Sequence, residues 1–130
     1  HSKEVIFGAK ILMKAIGIKK GFIAIEDNKP NAIELLKKEL KDDNLLSLKV
    51  LKTKYPQGDE RQLIYALEKR ELPAGKLPAD LGYVVFNAET CSAVYHALSY
   101  GMPVTDRVVT VDGDCIENPG NLLCQTKSCH

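Results

Sequence analysis

Apolar positions recur along the first half of the chain with two alternating periods. Val5, Ala9, Leu12, Met13 and Ile16 form one stripe between Lys3 and Ile16, the 3.6-residue spacing of an amphipathic helix. Gly17 is placed to end it, because glycine enters the left-handed region at no steric cost. Gly21-Phe22-Ile23-Ala24-Ile25 is a short continuous apolar run, the signature of a buried parallel strand. Glu26 to Lys29 reads as a polar turn, and Pro30 suits the first position of a second helix with Ile33, Leu36 and Leu40 inward. Asp42-Asp43-Asn44 ends that helix, and Leu48 to Leu51 is the next strand. This strand-helix-strand order predicts a parallel pair with a right-handed crossover.

The pattern then repeats. A third helix follows Gly58, with Leu63, Ile64 and Leu67 apolar, and an irregular Pro/Gly loop spans Leu72 to Pro78. Tyr83-Val84-Val85-Phe86 reads as a further strand, and Asn87 as the cap of a helix running to about Tyr100, closed by Gly101. Alternation from Asp106 to Gly113 predicts a half-exposed strand at an edge or in a hairpin. The expected fold is therefore α/β, with βαβ layers of parallel sheet and helices on the faces. Its core holds Ile23, Ile25, Val50, Leu51, Val84 and Val85 in the sheet, covered by Leu12, Ile33, Leu36, Leu63, Leu67 and Val94.

Size and charge narrow the functional classes. The 130 residues suffice for one domain with a core and not for two. Lys and Arg number 18 against 17 Asp and Glu, a net +1 that argues against nucleic acid or an anionic membrane as partner. No apolar run approaches the roughly 20 residues a bilayer span requires, so no direct membrane insertion is expected. The N-terminus lacks the pattern of a secretory signal, and a soluble, cytoplasmic protein is expected. Both ends read as cut, so the chain is expected to be one domain of a longer polypeptide.

Cys91, Cys115, Cys124 and Cys129 are widely and unevenly spaced, which fits reduced thiols better than a zinc or cluster-binding run. Cys124 and Cys129 are close enough in sequence for a disulfide or a metal site as the alternative. His96 falls inside a helix, where packing is the plain explanation. No Ser-His-Asp or Cys-His arrangement is recognisable, and no G-x-G-x-x-G or P-loop occurs. No catalytic residue and no metal ligand is assigned.

Candidate chemistry gathers where strands end and helices begin, since free N–H groups and the helix dipole there favour anions. Three junctions qualify: Glu26 to Pro30, Lys52 to Glu60, and Phe86 to Thr90. In the second, Asp59 and Glu60 are explained by the helix dipole alone, or they accept bonds from ribose or ribityl hydroxyls beside Tyr55. In the third, Asn87 is a plain cap, or the N–H groups after it meet a phosphate. Composition and spacing leave both choices open.

Five stretches carry a resemblance. Gly21 to Pro30, Lys52 to Glu60, Leu77 to Gly82, Arg107 to Asp114 and Asn118 to Asn121 closely resemble the C subunit of the bacterial Rnf complex, in family order from about residue 8 to 123. The module is shared, more distantly, with the flavin-carrying NADH-binding subunit of respiratory complex I. The resemblance implies a flavoprotein that binds FMN noncovalently, exchanges a hydride with NAD(H) and passes electrons to iron–sulfur clusters. It implies cofactor-binding roles for Tyr55, Gly58, Asp59 and Glu60, and for Val85, Phe86, Asn87 and Thr90.

Phe86 departs from the polar residue usual there. The family's glycine-rich flavin loop lies upstream and its 4Fe-4S cysteine region downstream, both outside this chain. The implied partners are other electron-transfer subunits, or a reductase such as the proline reductase served by a clostridial relative. The implied location is the cytoplasm, peripheral to the membrane through those partners. The alternative is a scaffold that keeps the fold and docks partners without flavin.

Overall fold

The computed structural model describes residues 1–54, 60–73, 75–111, 113–115, 117–118 and 120–125. Contacts divide the chain into two compact units, His1–Tyr95 and His96–His130.

The first unit begins with helix α1, Ser2–Ile16, which ends as expected on Gly17 with a left-handed φ of 74°. Strand β1, Gly21–Glu26, helix α2, Pro30–Glu39, and strand β2, Leu46–Leu51, follow. β1 and β2 pair in parallel from Gly21↔Leu46 to Glu26↔Leu51. Because side chains alternate across a strand, this register puts Ile23 and Ile25 on one face with Leu46 and Leu48. Against them pack Ile6 and Met13 of α1 and Leu36 and Leu40 from α2 and its end, forming the core. The inward triad Ile33, Leu36 and Leu40 is buried as its spacing required. Burying each such side chain stabilises by about 1.5–3 kcal/mol.

The stripe on α1 sits differently from the expectation. Ile6 and Met13 are buried, whereas Ile16 is exposed in the last turn beside Gly17. Between α1 and helix α4, Ala88–Tyr100, the backbones come very close at Gly8. A Cβ on Gly8 would collide with the carbonyl oxygen of Cys91. Ser92 donates to Glu4 Oε2 at 3.1 Å, and the rings of Phe7 and Tyr95 meet edge to face at 5.6 Å. Asp43 closes the turn before β2: its Oδ1 accepts the N–H groups of Leu45 and Leu46, while Oδ2 pairs with Lys10 of α1.

Helix α3, Glu60–Glu68, buries Ile64 and half-buries Leu63 and Leu67. Arg61 ties it to the Pro/Gly loop by donating to the carbonyls of Leu72 and Lys76. A short 3-10 turn, Pro78–Leu81, closes on Gly82 in the left-handed region.

Tyr83 to Phe86 corrects the sequence reading. The segment joins no ladder, and its burial alternates, with Val84 51% and Phe86 41% exposed. Val84 and Val85 are therefore not sheet core. A β-prone sequence becomes a strand only when a neighbour supplies the ladder, and among the described residues β1 and β2 pair only with each other. Val50, expected in the core, is likewise exposed near the strand end.

In the second unit, strands β3, Asp106–Val111, and β4, Gly120–Gln125, form an antiparallel hairpin; the alternation at 106–113 named the strand, but five of the six β3 residues are exposed where a half-exposed strand was expected. Thr110 Oγ1 donates to Asn121 Oδ1 across it at 2.8 Å.

Candidate functional site

The carboxyl ends of β1 and β2 lie side by side, because the parallel register brings Glu26 opposite Leu51. One residue beyond, Asp27 N–H donates to Leu51 O at 2.8 Å, extending the ladder by one bond. Asp27 Oδ1 then accepts two bonds from Thr53, from N–H at 2.9 Å and from the hydroxyl at 2.8 Å. These Thr53 bonds hold the Asp27 carboxyl below its ordinary pKa, and Lys52 adds a smaller push the same way. The cluster Asp27, Lys52, Thr53 and Lys54 is exposed, so it presents charge to solvent at the edge where α/β sheets bind ligands.

Next to it, α2 begins with Pro30 at its first turn and no side-chain cap from Lys29. Proline lacks an N–H, which removes one donor from this helix start. At α4, the Asn87 carbonyl accepts the N–H of Cys91 at 3.2 Å, placing Asn87 at the capping position. Helix geometry leaves the N–H groups of Ala88, Glu89 and Thr90 without intrahelical acceptors. That is a donor set suited to a phosphate.

Of the residues assigned from sequence, Glu60 is exposed and opens α3, and Val85 is half-buried. Phe86, Asn87 and Thr90 are exposed around the start of α4. Tyr55, Gly58 and Asp59 lie outside the described residues, so their gathering with Asn87 on one face does too. The Asp27–Thr53 bonds escaped the sequence reading. The signal was present in the offset: in a parallel pair ending at Glu26 and Leu51, the next residues become neighbours.

His96 is half-buried, with its ring 5.8 Å from that of Tyr100. Cys91 is buried, which pushes its thiol pKa up, while Cys115 and Cys124 are exposed thiols. Cys129, and with it any pairing to Cys124, lies outside the described residues. Among those residues no three His, Cys, Asp or Glu side chains gather to hold a metal, and no helix is long and apolar enough to cross a membrane. A cavity of about 300 Å³ is lined by Lys3, Ile6, Phe7, Lys10 and Glu39, none of them from the strand ends.

Residues 1–96 match the model of a family described as the Nuo51 FMN-binding domain, a span that ends one residue past the first compact unit. Two relatives share most of the chain. One is the C subunit of the Na(+)-translocating ferredoxin:NAD(+) oxidoreductase complex of Acetobacterium woodii, 47% identical over 119 residues, covering 92% of this chain and 27% of that protein. The other is the C subunit of the proton-translocating ferredoxin:NAD(+) oxidoreductase complex of Clostridium ljungdahlii, 46% identical over 123 residues, covering 95% of this chain and 27% of that one. The chain thus spans about a quarter of the length of these relatives.

Proposed function

The chain belongs to the family of Nuo51 FMN-binding domains, and from that premise we propose that it is the flavin- and NAD(H)-binding part of a longer electron-transfer subunit. The observation that supports this most is the strand-end cluster of Asp27, Lys52, Thr53 and Lys54 facing solvent at the carboxyl edge of the parallel pair. In this reading the N–H groups of Ala88 to Thr90 and the lysines meet phosphate, and Glu60 accepts bonds from sugar or ribityl hydroxyls. Tyr55, Gly58 and Asp59 complete the same site, together with Val85 and Phe86. Phe86, exposed and unable to donate or accept, packs against a ring rather than bonding it.

When bound, FMN would exchange two electrons with a nicotinamide and single electrons with an iron–sulfur cluster. The clusters, 4Fe-4S in this reading, belong to sequence beyond this chain. The names of the relatives support ferredoxin and NAD as the exchange partners of the whole protein, within a complex of several subunits.

The test compares the chain with the full-length protein. The full-length protein is expected to copurify with FMN and to reduce it with NADH, and Glu60→Ala to weaken that binding about tenfold. The chain alone is expected to bind FMN in the millimolar range. Each missing charge-assisted bond costs about 1.5–3 kcal/mol, so two or three lost phosphate contacts suffice. A full-length protein that holds no flavin and is inert to NADH would refute the reading and leave a docking scaffold in its place.

A further inference from the structure

Where the β1–β2 ladder stops, a side chain takes over from the backbone. Asp27 holds Leu51 through its N–H and Thr53 through one carboxylate oxygen, which receives both the amide and the hydroxyl of that residue. Two donors of one residue on one acceptor fix its backbone position and its rotamer together. Asp27, Lys52, Thr53 and Lys54 are all exposed and lie outside the apolar core. Bonds in such a solvated place add little to folding stability, because water competes for both partners. Their main physical consequence is geometric: the path of the chain just past β2 is set from β1.

The residues on either side of Thr53 are the lysines 52 and 54. With the backbone between them fixed, the two lysine side chains start from set positions, so less chain freedom is lost when their ammonium groups meet a phosphate. We propose that Asp27 is a positioning residue for nucleotide binding, acting through Thr53 to hold Lys52 and Lys54 at the carboxyl edge of the sheet, against the phosphates of NADH. This rests on the flavin and NAD(H) reading above.

The experiment uses the full-length holoprotein, with NADH oxidation by excess ferricyanide, a one-electron acceptor, followed at varied NADH. Asp27→Ala should raise the KM for NADH about tenfold while kcat stays within about twofold. Thr53→Val, which keeps the branched shape and removes the hydroxyl, should raise KM about threefold, and Thr53→Ser should restore it. A flavin-loaded protein in which Asp27→Ala and Thr53→Val keep the wild-type KM would overturn the positioning role and leave the site reading standing. A fall in melting temperature and kcat with KM unmoved would also overturn it, since that pattern marks a purely structural bond. A wild-type protein without flavin or NADH oxidation would overturn the site reading, and the positioning role with it.

Discussion

Replacing Gly8 by alanine is expected to destabilise the fold by about 3 kcal/mol or more, the cost of forcing atoms into a filled contact. A glycine in the middle of a helix is itself unfavourable by roughly 0.5–1 kcal/mol relative to alanine, so its place in α1 needs a reason. The reason is the crossing with α4, where an added methyl carbon would collide with the Cys91 carbonyl oxygen and lie 2.5 Å from its carbon. Those are backbone atoms and cannot turn aside. The helices would have to separate, loosening the Phe7–Tyr95 contact and the Ser92–Glu4 hydrogen bond together.

Gly21→Ala is the control. There the methyl would meet Leu46 Cδ2 at 2.9 Å and Met13 Sδ at 3.1 Å, the far ends of flexible side chains. That variant should lose about 1 kcal/mol or less. Thermal unfolding of the two variants measures the difference, with a drop of about 10 °C or more expected for Gly8→Ala. Equal melting temperatures would show that α1 and α4 do not approach this closely.

Asp43 carries the second large effect, and it depends on pH. Its side chain is 7% exposed, and the hydrogen bond from Lys10 is the main reason that its pKa falls from 3.8 to about 2, with the Leu46 and Leu45 amides adding to the shift. A carboxyl whose pKa is depressed by folding stabilises the folded state fully above its unfolded value. That contribution is lost as pH falls from about 4 through 2. Its size is about 1–2 kcal/mol, below the full conversion of the shift, because Lys10 stays 37% exposed and screened by solvent.

Asp43→Asn keeps an oxygen for the two amides and loses the charge, so it should cost about 1–2 kcal/mol at pH 7 and about 0.5 kcal/mol or less near pH 2. Asp43→Ala also strands the amides of Leu45 and Leu46 and should cost about 2–3 kcal/mol at pH 7. Denaturant unfolding at pH 7, 4 and 2 separates the variants. A stability gap between wild type and Asp43→Asn that is as large at pH 2 as at pH 7 would disprove the linkage.

Local pattern carried much of the first unit. The helical period named α2 and its inward residues, Gly17 ended α1, and the apolar runs became β1 and β2 in parallel. These features depend on spacing and on single-residue backbone preference, which are properties of the chain itself. The alternation at 106–113 named the hairpin strand for the same reason. Segments such as Gly21 to Pro30 and Lys52 to Glu60 also carried the family, since their resemblance to the Rnf C subunit agrees with the family match and the two relatives.

What the tertiary structure decided depends on partners distant in sequence. Tyr83 to Phe86 has strand composition and joins no ladder, because pairing requires a neighbour that local propensity cannot supply. Val50 has core composition and is exposed, because burial depends on what lies over a strand end. Gly8 reads as a weak point in a helix until Cys91, far along the chain, is placed against it. At the strand ends, the sequence by itself marked Lys52 to Glu60 as chemically rich. Only the parallel register could bring Asp27 across 26 residues to hold Thr53, because an oxygen and its two donors meet by geometry and not by spacing.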